Sequence, residues 1–428
     1  MKNPILDYSK KYTYDLNSWF SSKKYNELDY KISKLKSTSD KVLRTTKIFI
    51  YPNKKQRNII KTWFKVYQQV YNYTIKYFRK YPEYIGKSKI TLRNIIKKSF
   101  DADIKNILKS SKIPVHTIDN AIFDTIKAYN TAFANMKEKN IKHFRLRCKK
   151  KCDCIILEES AFSGSCSSFQ VRVLGNGIKS PHEFRNFKKY KKKRGDKNII
   201  FIKHDVKLTR HYRNGSIIYT LHVPVDRKIK TSTTNKICAL DPGLRTFQTL
   251  YDNKGNAMKI GTNNKRIKNL IKKLDVDETK FEDTKNRSTK DKIKRYRRRI
   301  YSKIKNLISD LHWKTCNYLC KNYDTIMVGN LSTQRCINKS NNLYKSCREP
   351  LKYMQHYLFR LRLQSKCEEY GKIYKEVDEK YTTQQCGKCM NLNKNVGSSK
   401  IYTCPVCKFT IDRDINGARN IFLKGVSI

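Results

Sequence analysis

Four cysteines near the C-terminal end of this 428-residue sequence stand in two matched pairs. Gly-Lys separates Cys386 from Cys389, Pro-Val separates Cys404 from Cys407, and 14 residues lie between the pairs. Four thiolates at this spacing complete a tetrahedral Zn²⁺ shell with no open position, so the metal would hold a β-ribbon and do no chemistry itself. None of the eight histidines lies nearby, which leaves the thiolates as the whole ligand set. The other cysteines carry less. Cys316 and Cys320, four apart in a helical pattern, read as core, and Cys148, Cys152, Cys154 and Cys166 are spaced to gather a metal only adventitiously.

A second chemistry is written in carboxylates. Hydrolysis of a phosphodiester by two Mg²⁺ ions about 4 Å apart needs acids from separate elements to converge on one cleft. Asp241 ends an apolar run and precedes Pro242-Gly243, where a side chain can leave a sheet edge. Near the C-terminus Asp412 and Asp414 compete. Asp414 shares a helix face with Ala418, Ile421 and Phe422 and so points at a sheet, whereas Asp412 reads as the helix cap. Singly, each acid is as well explained by a cap or turn; their joint place on a fold is what marks them.

The elements that would position them follow from periodicity. Residues 237–241 and 246–251 read as strands, 252–255 as a turn and 257–260 as a third strand, a meander. A long helix over about 288–322 puts Ile293, Tyr296, Ile300, Ile304, Leu307, Leu311 and Tyr318 on one face. Lys294, Arg295, Arg297, Arg298 and Arg299 crowd the other, a surface suited to a phosphate backbone. A fourth strand at 325–328, a helix at 350–370 (Leu351, Met354, Leu358, Leu361), a fifth strand at 372–379 and a closing helix at 414–424 complete the order βββ-α-β-α-β-α, that of an RNase H-like domain.

Upstream, a strand beginning at Thr46 stops at Pro52, and Asn53 with Gln56 forms a capping box. The helix it opens carries Ile59, Ile60, Trp63, Phe64, Tyr67, Val70 and Tyr71 on one stripe, and a second helix covers 118–138. From 150 to 230 the period becomes two, with a strand at 169–174 and a hairpin, 205–213 with 216–223, turned by Asn214-Gly215. The basic run 188–193 reads as a solvated loop, with a phosphate track or nuclear-import signal as its functional alternatives. Residues 1–40 show no clear period and read as an appendage.

Composition sets the partner. Lys and Arg number 94 against 36 Asp and Glu, a net charge of +58, which calls for a polyanion, nucleic acid by default. With 38% hydrophobic and 11% aromatic residues the chain can nonetheless build cores, and its length suggests two to four domains. No apolar run of membrane-spanning length and no signal peptide is present, which points to an intracellular protein with reduced or metal-bound cysteines.

Leu240-Asp-Pro-Gly243, the cysteine pairs and Asp412-Arg-Asp-Ile-Asn-Gly-Ala-Arg-Asn-Ile421 together resemble the TnpB family of transposon-encoded RNA-guided nucleases. Tyr51-Pro52, Gln56 and Val70-Tyr71-Asn72 are similar to that family too, so the likeness spans roughly residues 45–425. The resemblance implies a multidomain α+β architecture: after the appendage (1–40), a β-barrel wedge domain (41–53 and 150–230), a helical recognition lobe (54–149), a RuvC-like nuclease domain (235–380 and 408–428) and an inserted zinc ribbon (381–407). It also makes Asp241 and Asp414 the first and third metal ligands.

One departure matters. Bacterial members end the fourth strand in a catalytic glutamate, where this chain has Asn330, and an amide coordinates Mg²⁺ far less strongly than a carboxylate. Glu379 offers a replacement, ending the fifth strand on the inward alternation of Ile373 and Val377, while Glu376 and Asp378 alternate outward. A glutamate displaced in this way resembles the eukaryotic and viral Fanzor relatives. The implied activity is RNA-guided DNA cleavage beside a short flanking motif, with Asp241, Glu379 and Asp414 holding two Mg²⁺ ions. The implied partners are an omega-type guide RNA and double-stranded target DNA, in a monomeric ribonucleoprotein that is nuclear if the host is eukaryotic. Three alternatives stand beside it: an inactive RNA-guided DNA-binding regulator, if Asn330 marks decay; an RNase H-like transposase, since the fold does not choose between hydrolysis and strand transfer; and a basic packaging protein.

Overall fold

The computed structural model describes residues 11–13, 41–158, 199–201, 205–213, 216–230, 232–243, 246–262, 265–337, 345–397 and 399–427. It divides into two compact units, one of Lys41–Lys228 and one that joins Met1–Asp40 to Ile229–Ile428. Within the first 40 residues it describes one short strand, β1 (Lys11–Thr13), which belongs to the second unit.

The first unit contains β2 (Lys41–Ile50), α1 (Lys54–Lys80), α2 (Lys89–Lys98), α3 (Ala102–Ser111), α4 (Val115–Lys137), β3 (Cys154–Leu157), β4 (Ile199–Phe201), β5 (Val206–Arg213) and β6 (Ser216–Lys228). The capping box forms as read: Asn53 Oδ1 accepts the Gln56 N–H and Gln56 Oε1 accepts the Asn53 N–H, both at 2.9 Å. Strand β2 starts earlier than Thr46 because β6 runs on to Lys228 and pairs with it from Lys41↔Lys228 to Ile50↔Tyr219. The other edge of β6 takes β5 and then β4, and β3 lies beyond β5. Among the described residues no pairing joins β2 to β3 into a closed barrel. Ile48 and Ile50 of β2, Trp63, Phe64 and Tyr67 of α1, Ile122 of α4, Leu208 of β5 and Leu221 of β6 share one buried cluster, so sheet and helices are a single packing unit. The strand expected at 169–174, the run 188–193 and the Asn214-Gly215 turn lie outside the described residues.

The second unit continues with β7 (Ile237–Pro242), β8 (Gln248–Asp252), β9 (Asn256–Ile260), α5 (Lys265–Asp283), α6 (Arg287–Asn322), β10 (Thr325–Gly329), α7 (Thr333–Ile337), α8 (Lys345–Met354), α9 (His356–Tyr370), β11 (Ile373–Val377), β12 (Ile401–Thr403), β13 (Thr410–Asp412) and α10 (Arg413–Ser427). Its main sheet has the order β1-β9-β8-β7-β10-β11. β7, β8 and β9 form the antiparallel meander, turned where Asp252 Oδ1 accepts the N–H groups of Lys254 and Asn256 at 2.9 and 2.8 Å. β10 runs parallel to both β7 and β11. Pleating then separates the faces. Cys238, Leu240, Ile326 and Val328 join the core shared with α5, α6 and α9, while Ala239, Met327 and Val377 pack against Ile415, Ala418 and Ile421 of α10.

Two expectations are corrected, and one helix is added to the expected order. The stretch between the meander and the long helix holds α5, whose Ile267, Ile271 and Leu274 are buried in that first core. The helix placed at 350–370 is two helices, broken at Gln355 with φ +51°, where the buried His312 ring bonds the Met354 carbonyl at 2.9 Å and His356 turns in to stack on Phe247. The fifth strand ends at Val377, so Glu379 stands in the loop beyond it.

A buried ion pair anchors the opposite, N-terminal ends of β10 and β11. Lys372, its side chain 1% exposed, reaches Asp324 at 2.5 Å and also donates to the Ser232 carbonyl. Asp324 accepts the N–H groups of Thr234 and Asn235. Burial alone would raise its pKa, but these bonds outweigh burial and hold the carboxyl below its usual range. Asp324→Asn would strand the ammonium and should cost about 3 kcal/mol at neutral pH. A depressed acid contributes its stability above the unfolded value, so in thermal melts the deficit should begin to close below about pH 4 as wild type also loses the pair.

Candidate active site and metal centre

Asp241 lies one residue from the end of β7, and its alternation with Ala239 turns it to the α10 face. There the first turns of α10 press on it. A Cβ on Gly417 would lie 2.6 Å from Asp241 Oδ2, so this position takes only glycine while the carboxylate keeps its place. Asp414 sits one turn before Gly417, on the side of α10 that meets Asp241. Asp412 is the cap, as read: its Oδ1 accepts the N–H groups of Asp414 and Ile415, and its Oδ2 pairs with Lys259 at 2.6 Å.

Glu379 reaches the same face from two residues past β11. The β10–β11 register sets Gly329 opposite Val377, and the Glu379 side chain folds over Gly329, where a Cβ would overlap its Oε1. The Leu331 N–H donates to that Oε1 at 3.1 Å. Asn330 occupies itself with the backbone: its N–H donates to the Val377 carbonyl at 3.0 Å, and its Oδ1 accepts the Glu379 N–H at 3.4 Å. From α9, Arg360 donates to the Leu331 carbonyl at 2.9 Å and pairs with Glu376 at 3.5 Å. The glutamate backbone is fixed from the far side by Thr382, whose N–H and hydroxyl both bond the Glu379 carbonyl.

Burial and neighbouring charge act on two of these acids, Asp241 and Glu379. Burial, then the charges of Glu379 and Asp414, push the Asp241 carboxyl well above its ordinary range, with Arg413 opposing. Burial pushes Glu379 up to about 7, although the Leu331 N–H and Arg360 favour its charged form. Acids gathered at one buried face are suited to a divalent cation, whose charge favours their ionised forms. Their oxygens do not all close to within 4.8 Å of one another. Among the described residues only the four cysteines do so.

Those cysteines form the centre their spacing announced. Cys386 and Cys407 are 3.7 Å apart at sulfur, and Cys389 and Cys404 3.5 Å, near the separation of about 3.8 Å that four 2.3 Å Zn–S bonds require. β12 and β13 pair antiparallel beside them. The Lys388 N–H points at Cys386 Sγ, and N–H groups of Cys407 and Val406 draw the Cys404 thiol down to about 6 against the opposing pull of burial. Inward N–H groups and a closed ligand set suit thiolates on a structural zinc. The first knuckle is gripped by α10: Asn416 Oδ1 accepts the Gly387 N–H at 2.9 Å and Nδ2 donates to Gln385, while Asn420 donates to the carbonyls of Thr382 and Gln385.

Three stretches of the chain match family models: residues 42–83 a helix-turn-helix domain, 220–346 a probable transposase, and 356–421 the Cas12f1-like TNB domain. A TnpB-like protein of Acanthamoeba polyphaga mimivirus is 30% identical over 405 residues, covering 90% of this chain and 74% of its own length. The chain belongs to the TnpB-like family. A putative transposase of Paramecium bursaria Chlorella virus 1 is 26% identical over 412 residues, covering 90% of this chain and 88% of its own. The solved structure of a Cas12f1–sgRNA–target DNA complex is similar in fold, with TM-score 0.53 at 13% identity, spanning 90% of this chain and 99% of that one.

In this TnpB-like chain the transposase-matched stretch carries Asp241 and Asn330, and the TNB-matched stretch carries Glu379, Asp414 and all four cysteines. The helix-turn-helix match falls on strand β2 and the single long helix α1. Of the basic set on α6, Arg297 is partly buried and bonds Glu278 of α5 at 3.2 Å, and Lys294 lies over the Phe281 ring, so these two serve the α5–α6 contact; Arg295, Arg298 and Arg299 are exposed. Sequence reasoning missed Gly329, Arg360, Gly417, Asn416 and Asn420. Only the asparagines carried a signal, two amides four residues apart and so on one side of the helix.

The purified protein should carry one zinc ion per chain by elemental analysis. Cys404→Ser, or a strong chelator, should release it and lower the melting temperature of the second unit, as closed sites contribute folding free energy directly.

Proposed function

We propose that this TnpB-like protein is a Fanzor-type, RNA-guided DNA endonuclease whose RNase H-like (RuvC-type) site is formed by Asp241, Glu379 and Asp414. The observation that carries the reading is the burial of Asp241 against α10, raised by two further acids from separate elements. The fold likeness to Cas12f1, the family membership and the net charge of +58 support nucleic acid as the partner. Guide RNA pairing with one target strand beside a flanking motif would then assign sequence reading to base pairing and backbone holding to the protein.

The chain's own residues have separable parts in this. Asp241 and Asp414 supply ligand oxygens from β7 and α10, and Glu379 supplies one from the loop after β11. Arg360 and Leu331 hold Glu379 in place, and Gly329 leaves it room. Two Mg²⁺ ions bound there would supply an activated water and charge stabilisation for the leaving 3′-oxygen. Burial raises the Glu379 carboxyl to about 7 in the free protein, and a cation bound there would draw it back down.

In a cleavage assay with the co-purified RNA and a matching plasmid, Asp241→Ala and Glu379→Gln should each lose more than the roughly 10–100-fold that an outer-shell change costs. Asn330→Ala, which removes only a backbone contact, should lose less. Wild-type cleavage by Glu379→Gln, or abolition by Asn330→Ala alone, would overturn the assignment. Gly329→Ala should behave as a milder Glu379 variant with an unchanged melting temperature. The transposase descriptions of the family stretch and of the viral relative favour one second reading, strand transfer, which would show as joined rather than merely cut products.

A further inference from the structure

The segment 141–151, Ile-Lys-His-Phe-Arg-Leu-Arg-Cys-Lys-Lys-Lys, joins α4 to β3 without regular secondary structure, yet its exposure alternates. Phe144 and Leu146 pack against the core of the first unit, and Arg145 and Arg147 are exposed between and beyond them. Phe144 meets Phe133 edge-on at 5.0 Å. What pins the backbone is one stripe of α1. Asn72 gives Lys149 both bonds that a neighbouring strand would give, Nδ2 to its carbonyl at 3.0 Å and Oδ1 from its N–H at 2.8 Å. Gln68 donates to the same carbonyl at 2.7 Å, and Arg79 donates to the Leu146 carbonyl.

These contacts fix the course of the chain. From Asn72 to Arg79 the helix rises about 10.5 Å, and the three residues from Lys149 back to Leu146 span about 10 Å when extended. The segment therefore runs extended and antiparallel along α1. Alternate residues on such a chain recur at about 6.6 Å, comparable to the step between successive phosphates of a nucleic-acid strand; Arg145 and Arg147 stand one such step apart, and Lys150 follows where the chain bends. Lys142, Arg145, Arg147, Lys149, Lys150 and Lys151 lie here with no acid among residues 139–152. Lys149 folds back over the Tyr71 ring at 3.5 Å, and Lys151 pairs with Asp153 at 3.2 Å. Arg145, Arg147 and Lys150 have no acidic partner among the described residues. Like charges held side by side on a rigid backbone repel one another, a cost that a polyanion lying along them would offset.

We propose that this strap is a phosphate track that binds the sugar–phosphate backbone of one nucleic-acid strand through Arg145, Arg147 and Lys150. It rests on the proposed function only in taking nucleic acid as the partner and does not depend on the carboxylate assignment. The test uses full-length protein and compares Arg145→Gln/Arg147→Gln/Lys150→Gln with a control of equal charge on exposed α2 and α3 positions, Lys98→Gln/Lys105→Gln/Lys109→Gln. Affinity for a short single-stranded RNA and for a short DNA duplex is measured across a salt series. Each lost phosphate contact should flatten the log–log salt slope by about 0.9 on duplex DNA or 0.7 on a single strand. The strap variant should lose about 2.1 units of slope on the single strand or about 2.7 on the duplex, whichever probe responds identifying the strand, and the control should lose clearly less. Equal changes in both variants, or none in the strap variant, would overturn the proposal. Asn72→Ala, which removes no charge, should weaken binding by loosening the strap; if it leaves affinity unchanged, the pinned geometry is not what binds. The strap variant keeps Asp241, Glu379 and Asp414, and binding is read without cleavage, so failure of the nuclease reading and failure of this one show separately.

Discussion

Asp241 is held where its charge is least welcome, and much of the second unit can be understood from that. Its strand delivers it to the α10 face, helix α10 closes over it to the point that Gly417 admits no side chain, and two more acids act on it electrostatically. A fold that merely minimised energy would leave an apolar side chain here. Gathering acids at a buried position costs stability in the free protein. The site stands at the C-terminal ends of β7, β10 and β11, where parallel strands open a crevice, while the buried Lys372–Asp324 pair holds the other end of the same strands.

The placing of Glu379 over Gly329, with Asn330 turned to the backbone, is a matter of sheet parity. Met327 and Gly329 face α10, as do Val377 and, two residues on, Glu379. In a parallel pair with Gly329 opposite Val377, a side chain leaving the end of β11 can lie over the end of β10 only if the residue beneath it is small. Gly329 meets that condition, and Asn330 is left to bind the Glu379 backbone. Arg360 ties Leu331, and through it Glu379, to α9. The glutamate is thus held by Asn330, Leu331 and Thr382, which like it lie outside the strands and helices.

Local signals in the sequence were the most legible. The Asn53–Gln56 box, the meander, the long basic helix and the cysteine spacing each depend on residues near one another in the chain, and each appears as read. Asp412 and Asp414 could be told apart because a cap and a helix face are both local properties. What the sequence hid depends on distant packing. The break at Gln355 has no glycine or proline to announce it and follows from His312 taking the Met354 carbonyl. The strand before Glu379 ends at Val377 because β10, its partner, ends at Gly329. The roles of Gly329 and Gly417 are defined by carboxylates 50 and 176 residues away in the chain. Helix α5 was visible in Ile267, Ile271 and Leu274, but lysines dilute the pattern.

Helix α10 ties the two metal-suited regions together. Its Asp414 and Gly417 side faces Asp241, and its Asn416 and Asn420 side grips the backbone of the first cysteine knuckle and of Thr382. Thr382 in turn bonds the Glu379 carbonyl. The cysteine centre is therefore three bonded steps from Glu379, and through the body of the helix it is also joined to Asp414. A closed tetrathiolate site has no open position for a substrate, so any influence it has on chemistry must pass through this path. The buried amides make the path stiff, because an asparagine shifted out of register would leave a donor or acceptor unsatisfied in the core. The cysteine knuckle and the carboxylates are thus joined through the side chains of α10 and the backbone of Thr382.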